Sequence, residues 1–170
     1  MYLKYAIWIL RYSLYRFVYG LSGDLKSYIG APVFPYRLRN RIIVKGSLGL
    51  FPNWRIEFQG QGKIYVDGLV RIGQNFHCIV GSDVLLKNGV TLAPDVYIST
   101  YETNHRNGHE LSVPERPVIQ KKVTINEHAF IGKNSLIMPG VTIGRGAVVG
   151  ANSVVTRDIG EGEIFVSKQK

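Results

Sequence analysis

Through most of the stretch from Val80 to Val155 an aliphatic residue returns at every sixth position. In "VTIGRGAVVGANSVVTRD" Ile143, Val149 and Val155 stand six apart, and the series runs back through Ile137, Ile131, Ile125 and Ile119. After a gap it resumes at Ile98, Leu92, Leu86 and Val80. Two positions before most of these sits a small or β-branched residue: Ser153, Ala147, Val141, Ser135, Ala129 and Val123, then Val96, Val90 and Val84. A helix cannot hold such a period on one face, because six residues turn about 600° and drift about 120° each time. A plain strand alternates every two, but here turn residues recur at Gly89, Pro94, Gly132, Pro139, Gly140, Gly144 and Gly150. The expectation is short flat strands joined by tight corners, three to a triangular turn of about 18 residues, with the aliphatic side chains stacked inside. Residues 42–160 then hold five or six turns. Ile72 and Val80 are eight apart, which places a longer corner near "NFHC". An antiparallel sandwich would not keep this register over so many units.

A different pattern opens the chain. Residues 2–19, "YLKYAIWILRYSLYRFVY", lack proline and glycine and suit a helix of about five turns. Leu3, Ile7, Leu10, Leu14 and Phe17 form one aliphatic stripe, and Tyr5, Trp8, Tyr12, Tyr15 and Tyr19 an aromatic one. Lys4, Arg11 and Arg16 leave no apolar run near 18 residues, so neither a membrane span nor a signal peptide is expected. Aromatic rings beside basic residues suit a lipid headgroup layer. Packing of one stripe on the domain and the other on a neighbouring subunit is the alternative. Residues 20–41, with Gly20, Gly23, Gly30, Pro32, Pro35 and the basic cluster Arg37, Arg39 and Arg41, form an irregular connector. The division is therefore 1–41 helix and connector, 42–160 repeat domain, and 161–170 a short basic tail.

Charge sharpens this. The net charge is +9. Residues 1–63 carry ten basic side chains against Asp24 and Glu57, whereas the rest is nearly neutral. An anionic surface near the N-terminal third follows, and lipid is favoured over nucleic acid because no DNA- or RNA-binding motif accompanies the charge. Cys78 is the sole cysteine, so no disulfide can form within the chain. A reducing cytoplasm, at the inner face of its membrane, is the expected location. Cys78 occupies an inward repeat position and reads as core.

The hexads stop at "STYETNHRNGHE", within a loop at 101–117 that holds two of the four histidines. The flanking phrases "VRIGQN" and "AFIGKNSLIMPGVTIGRGAVVGANSVVTRDI" resemble the hexapeptide-repeat acyltransferases. The likeness is greatest to the branch that O-acetylates galactosides, maltose, nodulation factors, capsules and O-antigens. It spans roughly residues 42–160. It implies an all-β chain folded as a left-handed parallel β-helix, an exception to the usual right-handed crossover. It also implies a homotrimer with active sites between subunits, acetyl-coenzyme A as donor, and no metal. The expected reaction is acetyl transfer to a sugar hydroxyl in surface-polysaccharide synthesis. The aromatic–basic helix adds a lipid-linked acceptor to that expectation.

Those enzymes place a general-base histidine early in such a loop. His105, 25 residues before Phe130 of "FIG", matches it, with His109 in reserve. A hydroxyl attacking a thioester must lose its proton as the C–O bond forms, and an imidazole with a reference pKa of about 6.5 suits that task. Glu110 and Glu127 are candidates to orient the ring; His77 and His128 read as structural or exposed. The resemblance carries donor binding to Gly132, Lys133, Gly150, Ala151, Thr156 and Arg157. It breaks at the end, where "GEGEIFVSKQK" replaces the family's proline-containing basic segment; Lys168 and Lys170, or the N-terminal basic segment, would have to hold the nucleotide. Two rivals remain. A zinc site of the γ-carbonic-anhydrase kind would use His77, His105 and His109, but the spacing of the last two and the missing "IGH" argue against it. A non-catalytic membrane scaffold would not need the histidine loop.

Overall fold

The computed structural model describes residues 10, 13–14, 28–29, 40–105 and 110–167. The helix expected at 2–19 lies outside these apart from Leu10, Ser13 and Leu14, which are helical, with both leucines exposed. Most of the connector, His109, Lys168 and Lys170 also lie outside. Among the described residues no helix is long and apolar enough to cross a membrane.

The repeat region is a parallel β-solenoid of about five turns. Its strands stack in register on three faces. On the first face Val44, Val66, Leu86, Ile125, Ile143 and Ile159 lie one above another. The second stacks Leu50, Ile72, Leu92, Ile131, Val149 and Phe165. Ile56, Cys78, Ile98, Ile137 and Val155 line the third. The long strands Ile42–Leu50 and Ile64–Ile72 pair along their whole length and cover two faces each, bending at Gly46 and Gly68. Outside the repeats proper, Tyr28–Ile29 adds to the edge at Gly49–Leu50.

Apart from Phe165, which is only partly buried, every stacked residue is at most 5% exposed, and Ser135, Ser153 and the valines and alanines two positions earlier are buried beside them. Burying one such aliphatic side chain contributes about 1.5–3 kcal/mol, so the column explains how units too short to fold alone cohere. Burial also pushes the Cys78 thiol well above its usual range, which makes it core rather than nucleophile.

Steps from the first face to the second, and from the second to the third, are always six residues. Steps from the third face back to the first are not: Ile56 to Val66 takes ten, Cys78 to Leu86 eight, Ile98 to Ile125 twenty-seven, Ile137 to Ile143 six, and Val155 to Ile159 four. The slip expected near "NFHC" is therefore elsewhere. Cys78 continues the count from Ile72, and the two extra residues fall between Cys78 and Leu86. Val80, six before Leu86 by coincidence, pairs with Phe58 at that widened corner. Ile119 is likewise outside the stack; it faces Glu102 in an antiparallel hairpin.

The regular corners differ in chemistry. Between the second and third faces, Asn53, Asn75, Asp95, Asn134 and Asn152 all adopt positive φ, from 55° to 65°. Asparagine and aspartate tolerate this left-handed conformation better than other side chains. Here they also bond from coil to coil: Asn53 to Asn75 at 3.3 Å, Asn75 to Asp95 at 2.8 Å and Asn134 to Asn152 at 2.9 Å. Between the first and second faces glycine prevails. At Gly89 (φ 79°) an added Cβ would lie 2.2 Å from the His128 ring, so both conformation and space exclude a side chain.

Candidate active site

The loop leaves from the irregular edge, and local bonds make the departure firm. Thr100, fully buried, accepts hydrogen bonds from the backbone N–H groups of Gly81 (2.9 Å) and Ser82 (3.0 Å) and donates to the Ser82 carbonyl (2.8 Å). The Lys121 N–H closes the neck onto the Thr100 carbonyl. Between them Tyr101–Thr103 and Val118–Gln120 pair antiparallel, and the Asn104 N–H donates to the Pro117 carbonyl. Beyond this stalk, Val113–Glu115 form a 3-10 turn. The Ser112 hydroxyl and N–H both donate to the Glu115 carboxylate, and these bonds hold it below the usual carboxylate range.

His105 stands at the end of the stalk, exposed. Its Nδ1 is 2.8 Å from Nη1 of Arg116, whose Nε donates to the Leu111 carbonyl at 3.0 Å. A guanidinium can only donate, so Nδ1 accepts and the ring proton resides on Nε2. The side chain meeting Nδ1 is thus a cation, not one of the two carboxylates considered from sequence. Glu127 sits at the corner between the first and second faces, next to His128, an edge away from the loop.

The six residues carried over for donor binding divide between two edges flanking the third face. Gly132, Lys133, Gly150 and Ala151 lie at the asparagine edge of successive coils. Thr156 and Arg157 lie on the loop's edge, roughly 10 Å along the axis from its neck at about 4.8 Å per coil. Close packing accounts for two glycines: a Cβ on Gly132 would come 2.5 Å from the Ala151 nitrogen, and one on Gly150 would come 2.9 Å from Val166. Both cations have carboxylate partners. Lys133 Nζ lies 3.6 Å from Asp95, and Arg157 Nη2 lies 2.8 Å from Glu163, with Nη1 donating to the Asp158 carbonyl. The bond to Glu163 raises the Arg157 pKa and, with the Gly160 N–H, lowers that of Glu163.

His77 bonds to Glu57 at 2.8 Å and packs edge-on against Tyr97. Among the described residues no three His, Cys, Asp or Glu side chains converge as a metal site. A further cleft of about 480 Å³ opens beneath the hairpin at the two widened corners, lined by Gly60, Gly62, Gly81, Ser82, Asp83 and Gln120. Sequence reasoning missed Arg116 and Thr100. Arg116 lies eleven residues from His105, and only the hairpin register brings them together.

Residues 122–157 match the family described as bacterial transferase hexapeptide (six repeats). Solved structures share the fold over almost the whole chain. A variant of AntD, an N-acyltransferase from Bacillus cereus, bound to dTDP and coenzyme A, superposes with a TM-score of 0.75 at 18% identity, covering 92% of this chain and 84% of that one. The fold is a left-handed parallel β-helix. Another AntD variant, with dTDP-4-amino-4,6-dideoxyglucose and coenzyme A, shares the β-helix with a TM-score of 0.65 at 20% identity over 94% and 85% of the two chains. A hexapeptide-repeat acetyltransferase from Vibrio cholerae, bound to acetyl-coenzyme A, gives 0.64 at 23% identity over 92% and 71%. No curated protein sequence matches the chain.

Proposed function

We propose that this β-helix transfers an acyl group, acetyl in the simplest case, from a coenzyme A thioester to a sugar hydroxyl, with His105 as general base. The observation that carries the reading is a histidine held on a braced hairpin at the one edge of the prism that departs from six-residue spacing. The coenzyme A and dTDP-sugar bound by the structural neighbours support donor and acceptor class.

In the reaction the acceptor O–H attacks the thioester carbonyl carbon, and its proton passes to a ring nitrogen of His105 as the C–O bond forms. Backbone N–H groups of an adjoining coil steady the oxyanion. The C–S bond then breaks and the departing thiolate takes the proton from His105, which returns the base to its starting state. Gly132, Lys133, Gly150, Ala151, Thr156 and Arg157 form the proposed donor site. Coenzyme phosphates there would compete with Asp95 and Glu163 for the two cations. A homotrimer would bring a second copy against the third face, where Val154 is 47% exposed, and turn an open edge into a cleft. The N-terminal segment 2–19 would hold the enzyme against the cytoplasmic face of a membrane, near a lipid-linked polysaccharide precursor.

A second reading, acylation of an amino sugar, is favoured by the likeness to AntD. Thiol release from acetyl-coenzyme A, measured with paired sugar and amino-sugar nucleotides and followed by mass spectrometry of the product, separates the two. An ester product supports the hydroxyl reading and an amide the second. His105→Ala is expected to slow transfer by about 10²–10⁴-fold and leave the melting temperature unchanged, since the side chain is exposed. Transfer at the wild-type rate in that variant would remove His105 from the mechanism.

A further inference from the structure

Resting on the acyl-transfer reading, we infer that Arg116 is a positioning residue that withholds His105 from base catalysis until a phosphate on the acceptor draws its guanidinium away. The acceptor class is then a phosphate-bearing sugar. The Arg116 Nη1 to His105 Nδ1 contact of 2.8 Å occupies the single basic lone pair of a neutral imidazole, because the guanidinium brings donors only and the other ring nitrogen carries the proton. In that arrangement the ring has nowhere to take a hydroxyl proton.

The contact is built into the loop. Arg116 Nε donates to the Leu111 carbonyl, just before the turn closed by Ser112 and Glu115, and its N–H to the Val113 carbonyl within that turn. An imidazole offers this fork one lone pair. A phosphate offers two oxygens at matching spacing and a full opposite charge, so it competes with the imidazole for the Nη1 donor. Lys121 and Lys122 stand exposed where the hairpin rejoins the prism and add positive charge to a loop that also carries the exposed Glu110 and Glu115. Coenzyme A carries phosphates too and is the other source of the same chemistry.

Nitrogen-15 NMR of the histidine side chains, at a pH where imidazole is neutral and with His105→Gln to assign the signals, tests this without turnover. The wild type is expected to show His105 as one tautomer, Nε2 protonated and Nδ1 accepting. Arg116→Ala should show mixed tautomers and Arg116→Lys should restore part of the single form. Inorganic pyrophosphate should move wild-type His105 to the mixed spectrum, and should bind Arg116→Ala about tenfold more weakly, the loss of one charge-assisted bond. Adenosine 3′,5′-bisphosphate, which carries coenzyme phosphates without the pantetheine, should leave the His105 signals in place. Coincident spectra of wild type and Arg116→Ala overturn the proposal. Movement of His105 by the bisphosphate but not by pyrophosphate overturns the acceptor assignment. Failure to transfer acyl groups in any assay would instead overturn the functional reading, and the spectra would still decide the role of Arg116.

Discussion

At the edge between the second and third faces, five coils turn with Asn53, Asn75, Asp95, Asn134 and Asn152 in one backbone conformation. At the edge between the third and first faces, five coils return by five different lengths, and one of them carries His105. Both edges join the same stacked strands. They differ in what the corner must do: the first passes the chain on in phase, with side chains bonded from coil to coil, whereas the second only has to deliver it to the next layer. A β-helix bonded along its faces can therefore vary one edge without disturbing its core, and the candidate base is carried on that edge.

The largest effect should come from exchanging the rules of the two edges. One glycine inserted after Asn134 shifts the register of that coil's third-face strand by one and turns Ile137 out of the stack between Ile98 and Val155. At about 1.5–3 kcal/mol per buried side chain, against a total stability on the order of 5–15 kcal/mol, loss of a cooperative thermal transition is expected by circular dichroism. Excising 104–117 and joining the hairpin strands with a short glycine turn should leave a cooperative transition within a few degrees of wild type. It should also abolish acyl transfer. A molecule that tolerates the insertion but not the excision would reverse the comparison.

Smaller changes probe the asparagine ladder. Asn75→Ala forces an ordinary side chain into the left-handed region and removes the bond to Asp95, so a loss of about 1–2 kcal/mol is expected in urea unfolding. Asn75→Gly keeps the conformation and should cost less. Equal losses would mean that the side-chain bond, not the backbone, sets the corner.

The smallest effect belongs to the exposed Arg157–Glu163 pair. Arg157 holds the Glu163 carboxyl below its ordinary range, so the contribution is present above that range and fades as pH falls through the folded value. The raised Arg157 pKa matters only at strongly alkaline pH. Glu163→Gln should flatten the acid side of the melting-temperature profile slightly, and salt should erase the difference.

The three faces were legible because stacking demands one aliphatic residue at each sixth position, and Ile125 to Val155 supply it without a break. Val80 and Ile119 show the limit of that signal. Both keep the count and neither joins its stack, since spacing along the chain does not say which corner has widened. The asparagine column was also open to view, three residues after each second-face aliphatic, but its phase means little until the coils are aligned. For the site, the loop and His105 stand out as an interruption. Arg116 does not, because its relation to His105 depends on a hairpin register inside the loop.

What the sequence determined by itself is therefore the inward column and its period, through the local rule that each tiny strand must bury one side and turn. Tertiary structure decided where the extra residues fall, that Gly132 and Gly150 answer to coil stacking, and that the candidate base meets a guanidinium. Those outcomes rest on contacts between residues far apart in the chain, and only the pairing of one coil with the next brings them together.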